Sequence, residues 1–185
     1  MPSVRKKQPQ EVRARLLKAT AEVASEQGLE SVTIAEVSKR AGVTSGGLFH
    51  HFHTKKELID ELISTCMSSF ENKIAELAAE YPDPRGRFDR AYLAASNAEE
   101  CGLFENSQMG NILMAMNRNP DLSRRWLNWT DQQMEKHGPE RDPILGEIIR
   151  YASDGLWLEQ YSMETIDPER RQTVIDRLIG LSRLL

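Results

Sequence analysis

The chain has 185 residues, of which 39% are hydrophobic and 28% are charged, an ordinary balance for a protein with a packed apolar core. No apolar run approaches the roughly 18 residues that a membrane-spanning helix needs, and the basic N-terminus lacks the apolar centre of a secretory signal. We therefore expect a cytoplasmic protein with no membrane partner. Cys66 and Cys101 belong to no metal or redox motif, so we expect two buried, reduced thiols.

Charge is distributed unevenly along the chain. The net charge is −4, but residues 1–56 contain ten Lys and Arg against five Asp and Glu, a balance of +5, and the remainder carries −9. Such asymmetry between the two parts of a chain hints at nucleic-acid contact by the basic part. A short basic tail that is merely solvated would give the same excess, so the charge alone decides little.

The apolar residues recur with helical spacing, and sustained alternation of the kind that marks strands is absent from the sequence. We therefore predict an all-α fold of about nine helices. Thr33 with Glu36 and Thr54 with Glu57 form capping-box patterns at two helix starts. The predicted helices cover residues 9–27, 33–41, 44–51, 54–80, 86–99, 103–116, 119–138, 143–163 and 168–185.

Residues 33–52 are the most informative segment. A short helix, a turn at Gly42 and a second short helix are the layout of a helix-turn-helix, whose second helix enters the DNA major groove. Apolar side chains sit where they would close a small three-helix core: Ala35, Val37, Ala41, Val43 and Leu48. The outward positions of the second helix are small or polar, as a groove-facing surface requires: Thr44, Ser45, Gly46, Gly47 and His50.

This segment resembles the TetR family of transcription regulators. The resemblance is carried by Ala35, Val37, Ala41-Gly42-Val43, Gly47-Leu48-Phe49-His50-His51-Phe52 and Lys55-Lys56-Glu57-Leu58, and it extends over about residues 10–65. It implies an N-terminal three-helix DNA-binding domain at residues 1–55. A C-terminal helical ligand-binding and dimerisation domain would then occupy residues 56–185.

The resemblance also implies which residues contact DNA: Thr33, Thr44, Ser45, Gly46, Gly47, Phe49, His50 and Lys55. Thr33 and Lys55 would meet phosphates, Phe49 and His50 would lie against the sugar-phosphate backbone, and the glycines would allow close approach. The second helix has no Arg, Gln or Asn for bidentate base contacts, so direct readout of bases should be thin. The basic segment Arg5-Lys6-Lys7 would compensate by entering a minor groove, or would be a solvated tail.

The C-terminal part carries two further sets of candidates. TetR-like regulators usually hold an inducer there, and the Met and aromatic residues would line a pocket for a small, mainly apolar effector or else form ordinary core: Phe104, Met109, Leu113, Met116, Trp126 and Trp129. The last two helices have broad apolar stripes, and residues 152–158 resemble the dimerisation helix of one branch of the family. The predicted dimer residues are Ile148, Ile149, Ala152, Leu156, Val174, Ile175 and Leu178.

Taken with the resemblance, these features predict a homodimeric repressor that binds a palindromic operator and is released by its effector. Repression is the usual mode of the family, although the residues do not separate repressor from activator. His50, His51 and His53 lack the i,i+4 spacing of a paired metal site, and no HExxH, CxxC or Gly-rich phosphate loop is present. We therefore expect no enzyme activity, cofactor or metal. A helical adaptor that binds protein through its N-terminal domain is the other alternative, and a salt-dependent gel shift would distinguish it.

Overall fold

A computed structural model describes residues 4–137, 142–160 and 167–185. Within these ranges the fold is helical, as predicted. Nine α-helices are present there: α1 Val4–Gln27, α2 Ile34–Ala41, α3 Ser45–Phe49, α4 Lys55–Ala79, α5 Arg87–Ser96, α6 Asn106–Met116, α7 Pro120–His137, α8 Pro143–Glu159 and α9 Pro168–Ser182. None of the described helices is both long enough and apolar enough to span a bilayer. The predicted helix ends at residues 138 and 163 lie outside the described residues.

Most helix starts follow from capping chemistry. The Thr33 hydroxyl accepts a hydrogen bond from the Glu36 amide at 3.2 Å, and the Thr54 hydroxyl accepts one from the Glu57 amide at 3.0 Å. The Glu57 carboxylate accepts a hydrogen bond of 2.7 Å from the His53 amide. This bond completes a reciprocal cap, although the capping-box pattern predicts the amide of the next residue, Thr54, as the donor. These bonds satisfy amides that a helix terminus leaves without an intrahelical partner.

A two-stranded hairpin was not predicted. Strands β1 (Glu100–Cys101) and β2 (Phe104–Glu105) pair antiparallel, with Cys101 opposite Phe104. Two-residue strands are too short to produce an alternating pattern, so periodicity cannot reveal them. The hairpin delays the start of α6 to Asn106, three residues after the predicted position.

The first of two compact units comprises the described residues up to Ser69 together with Glu99–Trp126. In this unit α1 packs against α2 and α6, and α2 packs against α3. Its core contains fully buried side chains from α1 to α4 and from α6: Leu16, Val23, Val37, Leu48, Phe52, Leu58, Leu62, Ile63 and Ile112. Both cysteines are free thiols buried in this unit, as predicted.

The second unit comprises Phe70–Ala98 together with Leu127–Leu185. Here α5 packs against α8 and α9 around the buried residues Leu93, Ile149, Leu156 and Leu178. Gly86, at the start of α5, has φ +58°, and a β-carbon there would lie 1.8 Å from the Ser182 carbonyl oxygen. Only glycine fits this crossing, because any side chain would collide with the backbone of α9.

Candidate DNA-binding surface

The turn between α2 and α3 is built around Gly42. Its φ of +65° is left-handed, which favours glycine, and its amide donates to the Lys39 carbonyl at 3.2 Å. The next amide, that of Val43, donates to the Ser38 carbonyl at 3.0 Å. The chain therefore reverses within a few residues and brings α3 directly after α2, as a helix-turn-helix requires.

The small core under this turn agrees with the predicted one except at one residue. Val37, Ala41 and Leu48 are buried and Val43 is half-buried, but Ala35 is exposed. The prediction for Ala35 was wrong because it is only the second residue of α2, where the helix has just begun and this side faces solvent. Ala35 therefore belongs to the outer surface beside Thr33.

Helix α3 presents its N-terminal end and one aromatic ring to solvent. Thr44, Ser45 and Gly46 are exposed, and the Thr44 hydroxyl caps the helix by accepting from the Gly47 amide at 3.0 Å. Phe49 is 45% exposed on this five-residue helix. One exposed apolar side chain is ordinary on a protein surface, so the exposed polar residues carry more weight here than Phe49.

The two glycines of α3 differ in the space around them. A methyl group at Gly46 would have the Thr44 hydroxyl as its nearest neighbour, at 3.9 Å. The same group at Gly47 would lie 3.3 Å from that hydroxyl, which is tight for a carbon. Gly46 is therefore free of internal packing demands, whereas Gly47, half-buried, contributes to the capped turn.

Two arginines near the motif serve the fold. Arg13 donates to the His51 carbonyl at 3.3 Å, pairs with Glu61 at 2.8 Å and stacks over the Phe52 ring at 4.5 Å. It thereby ties α1 to the turn after α3 and to α4. The Arg13 guanidinium is therefore occupied by contacts within the first unit.

Arg40, at the end of α2, lies among acidic side chains, with Glu26 at 2.7 Å and Glu36 at 3.6 Å. Its hydrogen bond to Glu26 holds the pKa of that carboxyl below its usual value. The local positive charge of Arg40 is thus largely balanced, which leaves the DNA-facing role to other cations.

Lys55 is held in place at the start of α4. Its Nζ donates to the Glu30 carbonyl oxygen at 2.7 Å, and the side chain is half-buried. An ammonium group has three donors, so two remain for a phosphate oxygen. Thr33 is similarly placed, because its exposed hydroxyl accepts from Glu36 and keeps its own proton to donate.

Arg15 is a residue that the sequence reasoning missed. It is exposed on α1 and lines an open groove of about 1030 Å³ together with His50 and His51, which follow α3. Thirty-five positions separate Arg15 from His50 along the chain, so no local pattern connects them. The packing of α1 against the helix-turn-helix supplies a cation beside the end of α3.

Comparison with known proteins decides which family has this arrangement. Residues 16–62 match the profile described as bacterial regulatory proteins, tetR family, and residues 86–183 match that of the tetracyclin repressor-like C-terminal domain. The chain belongs to the TetR family. The resemblance seen in the helix-turn-helix is confirmed, and the protein is a DNA-binding transcriptional regulator.

Similar proteins agree with this assignment. The repressor KstR2 of Mycobacterium tuberculosis is 22% identical over 156 residues, which cover 79% of this chain and 78% of KstR2. A transcriptional regulator from Rhodococcus sp. Rha1 has the same fold, with a TM-score of 0.70, 24% identity and coverage of 91% and 94% of the two chains. The multidrug binding protein EbrR, solved with malachite green, has a TM-score of 0.68 at 20% identity, covering 90% of this chain and 96% of that one.

The predicted effector residues of this TetR-family regulator fall in both units. Phe104, Met109 and Met116 are at most 3% exposed in the first unit, and Leu113 and Trp126 are half-buried there. Trp129 belongs to the second unit, where its ring lies 5.9 Å from that of Phe70. The three most buried residues serve as packed core in this structure.

The predicted dimer residues are divided between the interior and the surface of the second unit. Ile149, Leu156 and Leu178 are its core, and Ala152 and Ile175 pack against that core. Ile148 is 51% exposed and Val174 39% exposed. Three more apolar residues of α8 share the exposed side with Ile148: Ile144, Tyr151 and Leu158.

Proposed function

We propose that this TetR-family regulator is a homodimeric repressor of a palindromic operator, active in the cytoplasm and released from DNA by a small, mainly apolar ligand. Residues 1–55 form its DNA-binding domain, and residues 56–185 its ligand-binding and dimerisation domain. The observation that carries the DNA contact is the exposed N-terminal end of α3, with Thr44, Ser45 and Gly46 unhindered beside the exposed Phe49.

In this proposal some residues bind the DNA backbone and others contact the bases. Thr33 and Lys55 hold phosphates on either side of α3, and His50 with Arg15 extends the contact along the sugar-phosphate backbone. Such contacts fix the register of the protein on DNA but carry little sequence information. Ser45 is the central polar side chain of α3, so specificity depends mainly on the spacing of the two half-sites and on DNA shape.

The dimer is supported by an apolar stripe on the outer side of α8. Ile144, Ile148, Tyr151, Gly155 and Leu158 follow the i, i+4, i+7 spacing of one helix face, and all five are exposed. The opposite face of α8 is already buried against α5 and α9. A helix that is apolar on both sides needs a second partner, and a second copy of α8 is the natural one in a two-fold dimer.

Release by a ligand is supported by a ligand-binding protein of similar fold and by the fixed spacing that a dimer needs between its two recognition helices. EbrR is a multidrug binding protein that has been solved with bound malachite green. Two recognition helices must be about one helical turn of DNA apart to bind together. A ligand that favours another spacing lowers operator affinity. Because Phe104, Met109 and Met116 are packed, a ligand at these residues would have to displace side chains.

The proposal is tested with the whole chain and a labelled duplex from the region upstream of its own gene. We expect anisotropy titrations to show binding that is tighter than to a scrambled duplex of equal length. The affinity should fall with salt at a slope of roughly −0.9 per phosphate contacted. Sedimentation velocity should show two protomers per duplex. Equal binding to the two duplexes at physiological salt, where non-specific binding is weak, would contradict the operator proposal.

The helical adaptor that the sequence left open is disfavoured by the match to the DNA-binding profile, and the same titration tests it. An adaptor would show no steeply salt-dependent binding to either duplex. The exposed Arg15 near the end of α3 and the +5 charge of residues 1–56 favour DNA over a protein partner for this surface.

A further inference from the structure

The second unit contains a cavity of about 210 Å³ at the end of α4. Ile74, Phe88 and Gln133 are the buried residues of its lining, and the others are half-buried or exposed. The lining residues come from α4, the segment before α5, α5 itself and α7: Glu71, Ile74, Ala75, Ala78, Pro84, Arg87, Phe88, Gln133, Lys136 and His137.

Among the described residues, one cation that lines this cavity has no ion pair. Glu71 Oε1 lies 3.2 Å from Lys136 Nζ. Burial works to raise the pKa of Glu71, but hydrogen bonds from Lys136, Gln133 and Trp129 hold it below its usual value. Glu71 and Lys136 therefore neutralise each other, whereas Arg87 forms no ion pair with the described residues.

Arg87 also has an unused donor. One guanidinium nitrogen, Nη2, donates to the Pro82 carbonyl at 2.9 Å. Its Nε is buried and has no hydrogen-bond partner among the described residues. A buried donor without an acceptor is costly, and a carboxylate is the acceptor that a guanidinium binds most strongly.

The remainder of the lining is apolar and partly aromatic. The Phe88 ring stacks on His137, with centroids 4.7 Å apart and planes inclined by 7°. Ile74, Ala75 and Ala78 supply an aliphatic wall from α4. The volume lies below the roughly 300 Å³ at which sites for drug-sized ligands begin, so the occupant must be small.

We propose that this cavity binds a small carboxylate with a compact apolar body, of which an aromatic acid is the simplest example. The carboxylate accepts from Arg87, with Lys136 beside it, and the apolar body lies on Ile74 and Phe88. The site uses none of the residues predicted for the effector. Its role as the effector site rests on the proposed repressor function, whereas carboxylate binding itself does not.

The cavity wall is connected by direct contacts to the exposed side of α8. The Phe88 ring lies 6.1 Å from the Tyr92 ring, and the Tyr92 hydroxyl donates to Asp154 at 2.6 Å. Asp154 in turn pairs with Arg150 at 3.2 Å, and Arg150 stacks over the exposed Tyr151 ring at 4.1 Å. A ligand that moves Phe88 thus acts on a chain of contacts that ends at the proposed dimer face.

The test uses benzoate as the carboxylate and benzamide as its neutral counterpart, titrated into the whole chain without DNA. We expect saturable benzoate binding, followed by NMR through the Gln133 side-chain amide, and affinity for benzamide at least tenfold weaker. Arg87→Gln should weaken benzoate binding at least tenfold. Arg85→Gln is the matched control, because it removes the same charge from a neighbouring residue that pairs with Asp83 and does not line the cavity.

A second variant keeps the test decisive if Arg87→Gln fails to fold. Ala75→Leu adds bulk at the exposed rim of the cavity and should also abolish benzoate binding, while melting temperature reports that the variant is folded. Equal affinity for benzoate and benzamide, or benzoate binding that survives Ala75→Leu, would overturn the site. The absence of any benzoate binding up to millimolar concentration would overturn it as well.

Operator binding is measured separately, so the two proposals fail in distinguishable ways. If benzoate binds but no duplex is preferred, the cavity stands and the repressor proposal falls. If the operator is bound but benzoate does not bind, the repressor proposal stands and the cavity falls. If both bind, benzoate should lower operator affinity in the parent chain and not in Arg87→Gln.

Discussion

The Tyr92 hydroxyl donates a hydrogen bond of 2.6 Å to Asp154 Oδ1 inside the second unit. Arg150 Nη1 lies 3.2 Å from the other carboxylate oxygen. Burial raises the pKa of Asp154, and the bonds from Tyr92 and Arg150 work against that rise. Burial likewise raises the pKa of Tyr92, helped by the negative charge of Asp154. The Asp154 carboxyl group therefore makes the stability of this unit depend on pH.

Tyr92→Phe should lower the free energy of unfolding by about 1 kcal/mol at pH 7, because it removes a hydrogen-bond donor from a half-buried carboxylate. The folded state holds the Asp154 proton more tightly than the unfolded chain, whose pKa is near 3.8. Protonation of Asp154 therefore favours the folded state at low pH. This stabilisation is lost as the pH rises through the pKa that Asp154 has in the folded protein. The variant raises that pKa further, so its deficit should shrink as the pH falls towards 4 through the folded-state pKa values of the variant and the parent, which both lie above 3.8.

Urea unfolding at pH 7 and at pH 4 measures both parts of this prediction. Tyr81→Phe serves as the control, because it removes a hydroxyl in the same unit but leaves the ring under Arg90, 5.0 Å from the guanidinium. A Tyr92→Phe deficit that is equal at the two pH values would show that the lost hydrogen bond does not depend on the Asp154 charge.

Gly46→Ala should weaken operator binding without harming the fold. The new methyl group meets nothing closer than 3.9 Å, and replacing glycine by alanine inside a helix stabilises it by roughly 0.5–1 kcal/mol. If the backbone of α3 approaches DNA closely at Gly46, affinity should fall at least tenfold. Gly180→Ala, at an exposed helical glycine of α9 with an equally open β-carbon position, should gain similar stability and leave affinity unchanged. Unaltered affinity in Gly46→Ala would remove this residue from the contact surface.

Lys55→Ala should weaken binding to all duplexes and reduce the magnitude of the salt slope by about one. The neighbouring variant Lys56→Ala removes the same charge from a side chain that is 84% exposed and paired with Asp60 at 2.6 Å. Its slope should be unchanged. Anisotropy titrations over a range of salt concentrations measure both slopes. If both variants gave the same slope, Lys55 would contribute only to the overall attraction between protein and DNA and would not contact a phosphate of its own.

Cys66 should be inert in the folded protein. Burial, with a smaller contribution from Cys101, raises the pKa of the Cys66 thiol to about 12. At pH 8 only about one thiol in ten thousand would then be ionised. We expect a thiol-specific chromogenic disulfide to react with neither cysteine in the native chain and with both in denaturant. Rapid reaction of one thiol under native conditions would show that this part of the core opens.

The features of the fold that sequence predicts well are those set by local chemistry. Thr33 and Thr54 cap helices at the positions that their patterns predict. Helices α8 and α9 begin at Pro143 and Pro168, because proline has a helix-compatible φ and no amide hydrogen to leave unpaired at a helix start. The sequence does not reveal the hairpin at Glu100–Cys101 and Phe104–Glu105, since pairing of two residues depends on what packs around them.

The candidate site divides in the same way. Exposure of Thr44, Ser45 and Gly46 follows from their place in a short capped helix. The neighbourhood of Arg15 and His50 does not, because it needs α1 to pack against the helix-turn-helix. The 210 Å³ cavity around Arg87 is likewise hidden in the sequence, since three helices contribute to its lining. Tertiary packing, not local pattern, brings these side chains together.

The apolar stripe on α8 gives the last prediction. Gly155 lies in the middle of this stripe, exposed and with nothing within 4 Å of a β-carbon placed there, so Gly155→Glu should leave the protomer intact. In a dimer that pairs this face with its copy, two glutamates would be buried against apolar surface, which costs several kcal/mol. Dimer affinity should fall by roughly 100-fold or more.

Sedimentation velocity measures the dimer affinity, and melting temperature reports on the protomer. Ile148→Glu, on the same exposed side of α8, should behave like Gly155→Glu. Gln132→Glu, which adds the same charge at an exposed position on α7, should stay dimeric. Operator binding should weaken in the two α8 variants alone, because a single protomer engages only one half-site. A dimer that persists in both α8 variants would show that the partner lies on another surface.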